Sequence, residues 1–149
     1  MIIDSTLEMC DAVQITFTAN TTTLIGSQID TSVVRDIGQG RPAYLVITVD
    51  TAFAGGNGIQ FRVVSDNAAA IAVDGTESRH YTSEEFVAAD LTAGKTIVIP
   101  LPSGTAEPYE RYLGLSHTNG ITTAFTAGKI NAFLTLDPFG WTALADATN

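Results

Sequence analysis

Residues 129–136 read KINAFLTL, and apolar side chains recur in this stretch at every second position. Ile130, Ala132, Leu134 and Leu136 share one side of an extended chain, while the positions between them are mixed in character. A repeat of two is typical of a β-strand that places one face against a core. The stretch therefore predicts a half-buried strand.

Other parts of the chain carry strand patterns as well. Working outward, these segments are 13–17, 43–49, 59–64, 96–99 and 109–115. Segments 43–49 and 96–99 are continuous apolar runs rich in β-branched residues, as expected of strands buried on both faces. Segments 13–17 and 59–64 alternate, which is typical of strands with one buried face.

Turn residues separate these segments at short intervals. Gly55–Gly58 and the pair Asn119-Gly120 accept positive φ angles and therefore suit tight hairpins. Helix signals are few: Thr82–Glu85 has the form of a capping box, although an edge strand over Glu84–Val87 is the favoured interpretation.

These patterns predict an all-β fold. We expect a single-domain antiparallel β-sandwich of jelly-roll type, with about eight strands and little or no helix. In this prediction residues 1–137 form the sandwich and residues 138–149 form a C-terminal arm.

Charge and hydropathy exclude two classes of partner. The chain has 149 residues, with 16 acidic and 7 basic side chains and a net charge of −9. A field of this sign repels a phosphate backbone, and the basic residues are scattered, so no nucleic-acid partner is expected. The apolar stretches are far shorter than the roughly 20 residues of a membrane-spanning helix, so no membrane partner is expected either.

The composition favours a protein that works in an assembly. Charged residues make up only 15% of the chain, well below the usual quarter. We therefore expect part of the apolar surface to meet a partner. Cys10 has no second cysteine to pair with, and no basic residue stands near Met1 as in an export signal. Synthesis in a reducing cytoplasm is the expectation.

Residues for catalysis or metal binding are scarce. His80 and His117 are the only histidines, and both are expected in solvated or turn positions. No Gly-x-Ser-x-Gly motif occurs, and neither the ligand spacing of a zinc site nor that of a known calcium loop is present. We therefore expect a non-enzymatic protein with no catalytic residues, no metal and no cofactor.

Four motifs, in order along the chain, carry a resemblance to a known family. They are DIGxGxPxYLV at 36–46, DLxAGKxIxIPLPxGT at 90–105, RYLGL at 111–115, and FTAGKI with LxLD within 125–137. Together they resemble the small capsid cement, or decoration, proteins of tailed double-stranded-DNA bacteriophages. The similarity spans about residues 10–137.

The resemblance implies a structural virion protein with a jelly-roll fold. It implies a homo-oligomer, for which dimer and trimer both remain open, bound to the outer surface of the capsid. There it would cement neighbouring major-capsid subunits and stabilise the head. It implies no catalytic residues.

Candidate contact residues follow from their place beside the predicted sandwich. Apolar side chains near both termini are expected to pack on a partner subunit, since such segments are otherwise disordered. They are Met1, Ile2, Ile3, Phe139, Trp141 and Leu144. A second, separate expectation places Arg35 and Arg41 against acidic patches of the shell, because both stand in or beside a glycine-rich loop.

An alternative function is a carbohydrate-binding β-sandwich module for adhesion to a host surface or glycan. Such modules present aromatic side chains on one exposed face or loop. Tyr109 and Tyr112 are the best candidates for a small platform of that kind, because they flank Glu110 and Arg111.

Overall fold

The structure is a computed structural model that describes residues 5–15, 20–32, 41–103, 107–118 and 123–141. Its regular elements are eight strands and one short 3₁₀ helix, Ala88–Asp90. The strands are β1 (Glu8–Gln14), β2 (Thr22–Asp30), β3 (Tyr44–Gly55), β4 (Gln60–Asp66), β5 (Ser78–Thr82), β6 (Thr96–Pro100), β7 (Tyr112–Thr118) and β8 (Phe125–Thr135).

The strands form two antiparallel four-stranded sheets. The first sheet has the order β1-β8-β3-β6, and the second has the order β2-β7-β4-β5. Except for β4 and β5, which are neighbours in the second sheet, successive strands lie in opposite sheets. This order is that of a jelly roll, in which Greek-key connections join two packed sheets. The predicted jelly-roll β-sandwich is confirmed.

Alternation along the central strands builds the core between the sheets. Leu45, Ile47 and Val49 of β3 face inward from the first sheet, and Phe61 and Val63 of β4 face them from the second. The same alternation turns the intervening side chains toward the two outer faces of the sandwich. The candidate surfaces therefore lie on these outer faces and at the sandwich ends.

Six of the eight strands overlap the predicted segments, but β2 and β5 were not predicted. The pattern of β2 is interrupted at Gly26, which has a φ of +64° and lies in a register shift between Ile25 and Ile29. A Cβ atom at Gly26 would lie 2.2 Å from the Met9 carbonyl oxygen, so β2 crosses β1 at a point where only glycine fits.

The predicted edge strand at 84–87 is wrong. The edge strand is β5, whose five residues are half-buried or exposed and show no apolar repeat. Within 84–87 only Phe86 forms a β-bridge, an isolated one to Ile59, the residue before β4. Phe86 is buried in the core. The segment 84–87 thus contributes one ring to the core without forming a strand.

Candidate interaction surfaces

One end of the first sheet brings together parts of the chain that are distant in sequence. Tyr44, at the start of β3, pairs with Pro100 at the end of β6 and with Thr135 at the end of β8. Arg41 lies three residues before Tyr44 and is exposed. The chain leaves β8 at this same end, so Arg41 and the first residues after β8 share one end of the sandwich.

Three exposed apolar side chains also lie at this end, and we call them the terminal patch: Leu7, Leu136 and Phe139. Their exposed fractions are 39%, 51% and 83%. Leu7 is held next to β8 because its carbonyl accepts the Leu134 N–H at 2.8 Å. Exposed apolar side chains at one end of a domain offer area that a partner can bury.

Trp141 lies on its own domain. Its ring packs on Phe133 of β8, with ring centroids 4.3 Å apart, and its indole N–H donates to the Asp137 carbonyl at 2.8 Å. The Thr96 hydroxyl of β6 donates to the Trp141 carbonyl at 3.3 Å. Residues 137–141 therefore fold back over the outer face of the first sheet.

The other predicted contact residues divide into two groups. Met1, Ile2, Ile3, Arg35 and Leu144 lie outside the described residues. Phe139 and Arg41 are exposed and Trp141 is half-buried against its own chain. Contact of any of these residues with a partner stays a prediction.

The second sheet carries a charged cluster on its outer face that the sequence analysis did not identify. Arg62 of β4 lies between the core residues Phe61 and Val63 and so points to the outer face. Nearby, buried Glu77 pairs with Arg79 at 3.0 Å. The available signal was one arginine inside the alternating segment 59–64.

The pKa of Glu77 reflects this local pairing. Burial alone would raise the pKa of this carboxyl group, but its own backbone N–H, the Gly75 N–H and Arg79 all donate to it or attract it. The net result is a pKa below the usual glutamate value. Glu77 is therefore ionised at neutral pH, and its carboxylate is already paired with Arg79.

His117 is buried in the core, which contradicts the predicted solvated position. It falls on the inward-facing side of β7 with Leu113 and Leu115, and its Nε2 atom is hydrogen-bonded to the Thr23 hydroxyl. Burial, together with the positive charge of Arg62, lowers the pKa of His117 to about 3. The imidazole is neutral at physiological pH.

His80 forms a Ser–His hydrogen bond within the fold. Its Nε2 atom lies 2.7 Å from the Ser65 hydroxyl oxygen, which also accepts the Glu110 N–H at 3.1 Å, and its ring stacks on Tyr109. Burial lowers the pKa of His80. Because Ser65 is fully buried, this pair joins β4, β5 and the segment before β7 and does not present a nucleophile to solvent.

The Cys10 thiol and the Tyr109 ring, two further candidate functional groups, are both buried. Cys10 is buried, as expected for a small core residue, and burial raises its thiol pKa to about 12. Tyr109 is buried with its hydroxyl donating to the Pro102 carbonyl at 2.7 Å, so it cannot join Tyr112 in an exposed platform.

The described residues lack two general features. Among them, no group of three or more histidine, cysteine, aspartate or glutamate side chains is placed to hold a metal ion. The described part of the chain also contains no helix with the length and apolar character needed to cross a membrane.

The strand order and the packing of the core define the class of protein, a jelly-roll β-sandwich. The model of the Bbp16 family matches residues 9–134, which covers all eight strands except the first residue of β1 and the last residue of β8. The chain therefore belongs to the Bbp16 family, a family of phage-type structural proteins. No curated protein matches the chain.

Proposed function

We propose that this protein is a capsid cement protein, which binds the outside of a phage head and stabilises it by joining neighbouring major-capsid subunits. The observation that carries the proposal is the match of a phage structural family to nearly the whole sandwich. The role is non-enzymatic and requires no cofactor.

The terminal patch and Arg41 support a contact at one end of the sandwich. Leu7, Leu136 and Phe139 offer apolar area for burial, and Arg41 offers a cation beside them. An apolar centre with charged residues around it is the usual anatomy of a protein interface. The proposal assigns this end to the shell, where a rigid sandwich spans the joint between two subunits.

A cement protein stabilises a head because many copies of it bind to the same shell. Packed DNA pushes outward on a filled head, and each cement subunit resists only a small part of that load. Many copies, each self-associated as a dimer or trimer, bind with an avidity above that of a single contact. The net charge of −9 is compatible with the outer surface and unfavourable beside packed DNA.

Heads that lack this protein provide the test. Purified protein is mixed with such heads, the heads are sedimented, and bound copies are counted before the heads are heated. We expect binding at hundreds of copies, as repetition on a shell requires, and a higher disruption temperature for decorated heads. Equal disruption temperatures, or no binding, would contradict the proposal.

A glycan array run in parallel distinguishes the cement function from the alternative, carbohydrate binding. The carbohydrate-binding interpretation predicts saturable binding to a sugar without any effect on heads. The cement interpretation predicts the reverse.

A further inference from the structure

The outer face of the second sheet carries an arginine without a counter-ion. Arg62 forms no ion pair with any residue in the described part of the chain, and its Nε atom is buried without a hydrogen-bond partner. Buried polar atoms are almost always paired, so an unpaired one calls for an explanation.

The register places a second unpaired group next to Arg62. Ser116 of β7 pairs directly with Arg62 of β4, and its fully buried hydroxyl oxygen also has no hydrogen-bond partner. On the other side of Arg62 the register partner is Thr82 of β5. The strands beside Arg62 therefore place hydroxyl groups, and no carboxylate, directly opposite it.

The acidic group near Arg62 is already occupied. Glu77 is buried, and its two carboxylate oxygens accept the Gly75 N–H at 2.7 Å and the Arg79 Nε–H at 3.0 Å. Arg62, Arg79 and Glu77 together carry one net positive charge. This local excess lies on a chain whose total charge is −9.

We infer that the outer face of the second sheet around Arg62 is a second docking surface, which takes a carboxylate side chain of the major-capsid subunit. The inference rests on the proposed function. A cement protein must hold more than one neighbour, and the terminal patch at the sandwich end provides one contact. Arg62 provides a charged contact of opposite character on a different surface.

Charge complementarity identifies the occupant. A half-buried guanidinium keeps its outer nitrogen atoms for a carboxylate, which it binds in a bidentate manner. A second copy of this chain would also offer carboxylates, since its charge is −9, and a loss of self-association in the variant described below would identify it as the occupant instead. Arginines seated in this way commonly contribute a large share of interface affinity.

The test compares Arg62→Gln with Lys95→Gln in binding to heads that lack the protein. Both variants remove one positive charge, but Lys95 is exposed in the turn directly before β6, a strand of the other sheet. We expect at least about a tenfold loss of affinity for Arg62→Gln, a smaller loss for Arg62→Lys, and wild-type affinity for Lys95→Gln. Urea unfolding of free Arg62→Gln should show unchanged or increased stability, because an unpaired charge is removed.

Each other outcome has a defined meaning. If wild-type protein fails to bind heads, the proposed function is overturned and the assigned partner with it. If wild-type protein binds and Arg62→Gln binds equally well, only the docking surface is overturned. A loss of free-protein stability in Arg62→Gln would show a structural role for Arg62. A loss of self-association with normal head binding would assign the face to a second copy. Both results overturn the inference.

Discussion

The outer face of the first sheet is partly covered by its own chain, whereas the outer face of the second sheet carries Arg62, which has no counter-ion among the described residues. On the first sheet, Phe133, Val46 and Val98 form a row across β8, β3 and β6. Trp141 packs on Phe133, and within this row Val46 is fully buried while Val98 is 41% exposed. The apolar area on this face therefore contributes to folding.

The outer face of the second sheet is also only partly covered, and its uncovered part is polar. Ile71 from the β4–β5 connection lies over Gly114, and the adjoining row runs from Leu24 through Ser116 and Arg62 to Thr82. Short polar side chains around an unpaired arginine contribute little to the stability of the free protein. The comparison indicates that the first face contributes more to the stability of the domain, and the docking surface that we propose lies on the second.

Acid is expected to cause the largest loss of stability. It acts on His117, which is buried in the core on the inner side of the sheet that carries Arg62. Burial holds the folded-state pKa of His117 at about 3, whereas the unfolded value is about 6.5. Below pH 6.5 the imidazole is protonated in the unfolded chain but not in the folded protein. The free energy of unfolding therefore decreases as the pH falls toward 3. Between pH 7 and pH 4 this site alone should cost roughly 3 kcal/mol.

Urea unfolding of wild-type protein and His117→Gln at both pH values measures this cost. The variant should lose less stability between pH 7 and pH 4, since only the wild-type chain carries the imidazole. Equal losses in the two proteins would show that His117 does not titrate as the burial implies.

Removal of Trp141 tests the covered face. Trp141→Ala uncovers Phe133 and should lower the free energy of unfolding by about 2 kcal/mol, from loss of a half-buried aromatic ring. Phe139→Ser is the matched control, since that ring is 83% exposed, and it should change stability by less than about 0.5 kcal/mol. Thermal unfolding of both variants checks the contrast.

The same pair of variants sharpens the functional assignment of the arm. Truncation of residues 138–149 removes Trp141 together with Phe139, so it combines a folding effect with any binding effect. If Phe139→Ser binds heads as well as the wild type does, the terminal patch does not depend on this ring.

Gly114→Ala gives the smallest expected effect and tests the covered half of the second sheet. The added Cβ would lie 2.7 Å from the Cδ1 methyl groups of both Ile71 and Leu24. These are the flexible ends of side chains, so we expect a destabilisation of about 1 kcal/mol. A more stable variant in urea unfolding would mean that Ile71 is free to move away from this face.

Local periodicity was sufficient to predict most of the fold. The alternation in 59–64 and 129–136 and the continuous runs at 43–49 and 96–99 each place residues in strands that the structure contains. The strand β2 was not predictable in this way, because Gly26 and the register shift beside it interrupt its pattern. There the close crossing of β1 decides the conformation.

The candidate surfaces were predictable only in part. Residue position alone indicated Phe139 and Arg41 as surface groups, and both are exposed. The burial of His117 and Tyr109 was not predictable from neighbouring residues, because burial depends on the strand packed opposite. The partnerless state of Arg62 likewise depends on which residues β5 and β7 place beside it.

By itself, the sequence determined that this chain forms short strands joined by tight turns, with one core and an acidic surface, since these properties follow from local periodicity and composition. Only the tertiary structure decided the order of strands in each sheet, the return of Trp141 onto Phe133, and the position of Arg62 without an ion pair among the described residues. The physical reason is that pairing between distant strands selects the neighbours of each side chain, and those neighbours determine its burial and its charge environment.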